Sequence, residues 1–173
     1  QRPSPALATL VWRRRPAGSD HSDIVDAPVT ITRPSWPHLL LLLGAAAVLR
    51  ALFYTGFFGA DEVTYTGSAF RLLDGNWTVS SYVGANRYGV NLPVALAGLV
   101  FGRNEFAAAI YSLLCSIAEI GLLAWLGAQL LGARVALIGA WLLALTPMHV
   151  HIAGRLMADA PMALAVTASF LLF

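Results

Sequence analysis

The chain has 173 residues, 58% of them hydrophobic and 12% charged, with a mean hydropathy of +0.69. Soluble domains carry about 25% charged residues, so this composition excludes an ordinary soluble domain and points to a polytopic membrane protein. The net charge of +2 is too small to argue for a nucleic-acid partner, and the single cysteine, Cys115, excludes an intrachain disulfide or a Cys-rich metal site.

Residues 1–36 read as a disordered cytoplasmic tail. They hold Pro3, Pro5, Pro16, Pro28 and Pro34, the cluster Arg13-Arg14-Arg15 and the acids Asp20, Asp23 and Asp26, with no apolar periodicity. The apolar run that follows comes too late for a secretory signal peptide. Arginines ahead of a first span place the tail in the cytoplasm by the positive-inside tendency. All eleven basic residues are Arg.

The first span is expected at about 38–54, around Leu39 to Leu49. Seventeen residues at 1.5 Å each reach about 25 Å, enough to cross with interfacial flanks. Arg50, one turn from its far end, is expected to snorkel outward toward Asp61. The span delivers Asp61 and Glu62 to the outer side. Adjacent carboxylates at the mouth of a span are candidates for function, because such groups are costly in hydrocarbon; the competing reading is a pair of solvated loop charges.

Residues 55–87 form a polar outer loop. Within it Tyr65, Ala69, Leu72 and Leu73 fall at i, i+4, i+7 and i+8, which predicts a surface-lying amphipathic helix over 63–73. Asp74-Gly75-Asn76 ends it, and Trp77 and Tyr82 read as interfacial aromatics. The apolar run at 92–101 is too short to span and is expected to be a second surface helix. Spans are then expected at 106–131, 135–150 and 161–173 onward, with a tight turn at Gly132-Ala133-Arg134. If the 92–101 run stays on the surface, Asp61 and Asp159 face the same outer compartment; if it spans, they do not. The chain begins at Gln1 and stops at Phe173 within an apolar run, so it is expected to be the N-terminal piece of a longer protein, inactive alone.

On the surface-helix reading the outer face gathers Asp61, Glu62, Arg71, Asp74, Arg87, His149, His151, Arg155 and Asp159. Carboxylates from separate loops with arginines nearby suit an acidic catalytic group beside an anionic substrate, since Arg binds phosphate through a planar donor fork. There is no P-loop, dinucleotide fingerprint or nucleophile elbow. His149-x-His151 is weighed as a metal pair against interfacial helix caps; residues two apart do not share a helix face, which favours the caps. Glu119, in mid-span with Tyr111 and Cys115 on the same face, is expected to face the bundle interior, with a proton relay as the alternative.

These motifs, in this order, resemble the N-terminal part of the GT-C superfamily of membrane glycosyltransferases, and within it the protein O-mannosyltransferase and aminoarabinose-transferase-like group (glycosyltransferase family 39 and relatives). The resemblance covers roughly residues 38–173. It rests on the Asp61-Glu62 pair in the first outer loop, the stretch Arg87-Tyr88-Gly89-Val90 through Leu99-Val100-Phe101-Gly102, Glu105-Phe106-Ala107, Leu142 to Pro147, and Arg155-Leu156-Met157-Ala158-Asp159. The family's double proline is missing and Arg87 stands for its lysine, which bears on substrate subclass rather than on fold.

The resemblance implies an all-α, polytopic helical bundle of GT-C type with amphipathic surface helices in its first outer loop. It implies a plasma-membrane enzyme transferring a hexose or pentose from a polyprenyl-phosphate donor to a lipid, glycan or protein acceptor at the extracytoplasmic face. Asp61 would be the catalytic carboxylate and Glu62 its support. Arg87 and Arg155 would stabilise charge on the lipid-phosphate leaving group. Asp159 would shape the site, or hold a divalent metal where a relative uses one; no cofactor is otherwise implied. Two rivals remain from the residues alone: a transporter or channel fragment working through Glu119 and Arg50, and a non-catalytic membrane scaffold.

Overall fold

A computed structural model describes residues 34–59, 61–78, 81–82 and 86–170, all within one compact unit, Ile31–Phe173. The tail expected over residues 1–36 lies outside the described residues up to residue 33. Among the described residues every regular element is a helix: α1 Trp36–Leu52, α2 Asp61–Leu73, α3 Tyr88–Phe101, α4 Glu105–Leu131, α5 Ala133–Leu145, α6 Pro147–Ala153 and α7 Asp159–Ser169.

Helix α4 is the spine. Its 27 residues run about 40 Å at 1.5 Å per residue, and its N-terminus is capped by the Asn104 side chain, which accepts from the Ala107 amide at 2.8 Å. It is the one helix among the described residues that is long and apolar enough to cross a membrane unaided. Helix α1, at 17 residues, and α3, at 14, are apolar but shorter.

Two apolar clusters share this spine. Leu42 and Ala46 of α1 meet Ile120 and Ala124 of α4 and Ala140 and Ala144 of α5. Tyr65 and Ala69 of α2 meet Val90, Val94 and Ala95 of α3, Ala108 of α4, and Leu156 beyond α6. The inward faces are small and the outward ones large: Leu40, Leu41, Val48, Leu114, Leu130, Ile138 and Leu142 are all exposed. Such a surface suits hydrocarbon, where small residues let helices approach and no solvent penalty drives leucines inward. Gly127 shows how close α4 and α5 come, since a Cβ there would lie 3.1 Å from that of Ala136.

The surface helix starts two residues earlier than its apolar spacing predicts. Asp61 and Glu62 belong to the first turn of α2, where carboxylates favour the positive end of the helix dipole. Its C-terminus is a Schellman turn: the Asn76 amide donates to the Arg71 carbonyl, the Gly75 amide to the Leu72 carbonyl, and Gly75 takes φ +75°. Helix α3 lies against α2, with Gly98 facing the ring of Phe70.

The span expected over 135–150 is not continuous. It breaks at Thr146, and α5 and α6 meet at 63°. Pro147 has no amide to donate and its ring disfavours helical backbone at the residue before it; Thr146 is accordingly extended, at φ −63° and ψ 118°. Helix α6 therefore leaves the direction of α5 and turns toward the α1–α2 loop.

Candidate active site

Two polar assemblies occupy this end of the bundle. The first is built on the loop between α1 and α2. The amides of Phe58 and Gly59 each donate to Glu62 Oε2 at 3.1 Å, and Gly59 adopts φ +109°, a conformation open to glycine. Arg155, two residues past the end of α6, donates its Nε–H to the other carboxylate oxygen. Its guanidinium also lies 5.1 Å from the centre of the Phe58 ring. Glu62 is wholly buried. Burial pushes its carboxyl up, but the Arg155 hydrogen bond and charge and the two amides outweigh it, leaving the group below the ordinary carboxylate value. The buried Glu62 and the partly exposed Arg155 thus form a pair that fastens α2 to the α6–α7 connection.

Asp61, one residue earlier, points the other way and is exposed. The Tyr82 hydroxyl donates to its Oδ1 at 3.1 Å, and that bond and charge raise the hydroxyl, with Arg87 pulling weakly against them. One turn along α2, Tyr65 is buried and carries the Arg87 guanidinium over its ring at 5.4 Å. Asp61, Tyr65, Tyr82 and Arg87 therefore gather where α2 begins and α3 begins. Sequence reasoning placed Tyr65 in a packing stripe and Tyr82 at the interface; with 21 residues between Tyr82 and Asp61, no local pattern marks the contact.

Beside Arg87 opens a groove of about 300 Å³, walled by Gly89, Val90, Tyr111, Ala158, Pro161, Met162 and Ala165. Tyr111 closes one side, its hydroxyl donating to the Gly89 carbonyl at 3.1 Å. Asp159 is exposed at the first residue of α7, between groove residues Ala158 and Pro161. Asp61 and Arg87 share one cluster, Glu62 and Arg155 another, and Asp159 stands at the rim. Among the described residues no three His, Cys, Asp or Glu side chains come together to hold a metal ion.

The second assembly lies deeper. Arg50 does not snorkel outward. It is 1% exposed and folds back into the bundle, donating from Nη1 to the Ala46 carbonyl (3.0 Å), from Nε to Ser116 Oγ (2.8 Å) and from Nη2 to His149 Nδ1 (2.7 Å). His149 Nε2 lies 3.0 Å from Glu119 Oε2. Glu119 faces the interior as its spacing predicts, and His149 joins it to Arg50. Neither His149 nitrogen is left for a metal, and His149 is no interfacial cap; His151 instead lies against the Phe58 ring at 5.6 Å.

Residues 89–173 match the family model of dolichyl-phosphate-mannose-protein mannosyltransferases. The match, over just under half of the chain, supports a membrane glycosyltransferase of mannosyltransferase, GT-C type, for that part. The match runs from the second residue of α3 through α7 and takes in Arg155 and Asp159, while Asp61, Glu62 and Arg87 precede it. No curated protein and no solved structure matches the chain. The all-helical fold of the described residues agrees with that match, and a membrane setting is consistent with it.

Proposed function

We propose that the mannosyltransferase-type chain belongs to an enzyme that moves a sugar from a polyprenyl-phosphate donor to an acceptor hydroxyl at the extracytoplasmic membrane face. The observation that carries this is Arg87, on the wall of an otherwise apolar groove and over the ring of Tyr65, one turn of α2 from the exposed carboxylate of Asp61. A lipid-linked sugar phosphate needs those parts: a cation for the phosphate, an apolar wall for the first isoprene units, and a base for the acceptor.

In this reading the acceptor oxygen attacks the anomeric carbon as Asp61 accepts its proton. The carbon–oxygen bond to phosphate breaks, the configuration inverts, and the polyprenyl phosphate leaves with its charge held by Arg87. Tyr82 orients Asp61 through its hydrogen bond. Arg155 is committed to Glu62, so it acts on the site by fixing α2, and Asp159 borders the groove that receives the donor. The cytoplasmic tail, marked by Arg13-Arg14-Arg15, sets this end outward.

The test is transfer from labelled polyprenyl-phosphate sugars by membranes holding the intact protein, wild type against Asp61→Asn. Loss of about 10²- to 10⁴-fold at normal expression is expected for a positioned base. Unchanged transfer removes Asp61 from the chemistry. Absence of transfer from every donor by the wild type returns attention to transport, with uptake measured for Glu119 variants.

A further inference from the structure

The buried assembly of Arg50, His149 and Glu119 plays no part in the transfer just described, yet four side-chain hydrogen bonds hold it within the bundle. Three helices supply it: α1, α4 and α6. Ionisable groups at such depth are expensive and need complete pairing.

The chemistry of the bonds assigns the charges. Arg has donors only, so His149 Nδ1 must accept, and Nε2 must then carry the proton and donate to Glu119. A neutral imidazole thus bridges a guanidinium to a carboxylate. Arg50 also spends Nε on Ser116 and Nη1 on its own helix.

Helix α6 packs against α1, α4 and α5, but it buries few side chains of its own. It is seven residues long, too short to persist unaided, and only Val150 and Ala153 are buried among its side chains. Its direction differs from that of α5 by 63°, so α5 cannot hold it as a continuous span would. Two residues beyond its end stands Arg155, whose partner Glu62 is the neighbour of Asp61. The connection is therefore continuous: α1 and α4, through His149, to α6; α6, through Arg155, to Glu62; Glu62 to the first turn of α2.

We propose that His149 is a positioning residue. By bridging Arg50 to Glu119 it sets the orientation of α6, and through the Arg155–Glu62 pair it fixes the start of α2 and with it Asp61. The activity arm of this inference rests on the glycosyltransferase reading; the structural arm does not.

The experiment compares His149→Leu, which can make neither bond, with His149→Gln, which has an acceptor oxygen and a donor N–H at its tip, in the intact protein in detergent or nanodiscs. Amide hydrogen exchange is followed at Phe58 and Gly59, the two amides bound to Glu62. His149→Leu is expected to speed exchange there about tenfold or more, the scale of one charge-assisted hydrogen bond, while amides of the α4–α5 hairpin over 120–140 keep wild-type rates. His149→Gln is expected to restore most of the protection. His149→Asn, polar and too short to reach both partners, replaces the leucine variant if that one does not accumulate.

Wild-type exchange at Phe58 and Gly59 in the leucine or asparagine variant overturns the proposal. So does faster exchange spread evenly over the bundle, or a glutamine variant no better than the leucine one. In the transfer assay kcat should fall as exchange rises while the donor KM stays near wild type, because Arg87 is seated on Tyr65 and is no part of the tether. If exchange behaves as expected and the wild type transfers no sugar, the positioning network stands and the proposed function falls.

Discussion

The Glu62–Arg155 pair offers a quantitative test of how α2 is held. Arg155→Met leaves the wholly buried Glu62 carboxylate with only the Phe58 and Gly59 amides as partners. Breaking a buried pair by removing one member costs about 3–5 kcal/mol. The low end, about 3 kcal/mol, applies here, because the two amides remain and the Arg155 side chain keeps 23% of its surface in solvent. Glu62→Leu removes the charge but leaves the part-buried Phe58 and Gly59 amides without their acceptor, for about 1–3 kcal/mol. The double variant loses the same two amides without stranding a carboxylate, so it should cost little more than Glu62→Leu alone. The two single effects would then exceed the double by nearly the whole Arg155→Met cost, about 3 kcal/mol. Equilibrium unfolding in mixed micelles, monitored by tryptophan fluorescence, supplies all three numbers. Single effects that add within about 0.5 kcal/mol would show that the two residues act independently and would refute the fastening of α2 by Arg155.

Four further outcomes follow from the same geometry. The folded Glu62 carboxyl lies below its ordinary value of 4.5, so the unfolded chain binds its proton first as pH falls. Its contribution to stability is full above about 4.5, is lost as pH drops through the lower folded value, and disappears from a stability–pH profile of Glu62→Gln. Gly98→Val places a Cβ 2.8 Å from the Phe70 ring and should destabilise the α2–α3 contact by about 1–3 kcal/mol, seen as faster exchange across 65–73 with α5 unchanged. Arg87→Gln should weaken donor use while sparing the fold, read as a raised KM for polyprenyl-phosphate sugar with normal expression. Tyr82→Phe should lower transfer by less than about tenfold, since it removes one neutral donor from Asp61; a loss as deep as that of Asp61→Asn would make Tyr82 itself a reacting group.

The membrane class, the short helices α1 and α3 and the long α4 were legible because they depend on composition and on 3.6-residue periodicity. So were the Gly75 stop and the inward face of Glu119. Other features were not. From the residues alone Asp61 and Glu62 formed one pair, and only the resemblance gave them different roles; the first turn of a helix points successive side chains about 100° apart, which sends one outward and the other into the interior. Arg50 looked free to snorkel because its partners, Ser116 and His149, lie 66 and 99 residues away. The α5–α6 break had a visible cause in Pro147, yet the apolar run on both sides of it reads as one span.

What the sequence determined by itself is the set of local commitments. These are apolar helices of given lengths, their caps and breaks, small residues where helices must touch, and the charges the bundle must accommodate. Only the tertiary structure decided which charge meets which. Pairing across 93 residues for Arg155 and Glu62, or 99 for Arg50 and His149, is selected by how helices pack. In a low-dielectric interior a carboxylate or guanidinium without a partner costs several kcal/mol. The packing that pairs Glu62 with Arg155 and Arg50 with His149 leaves Asp61 exposed and Arg87 on the wall of the groove.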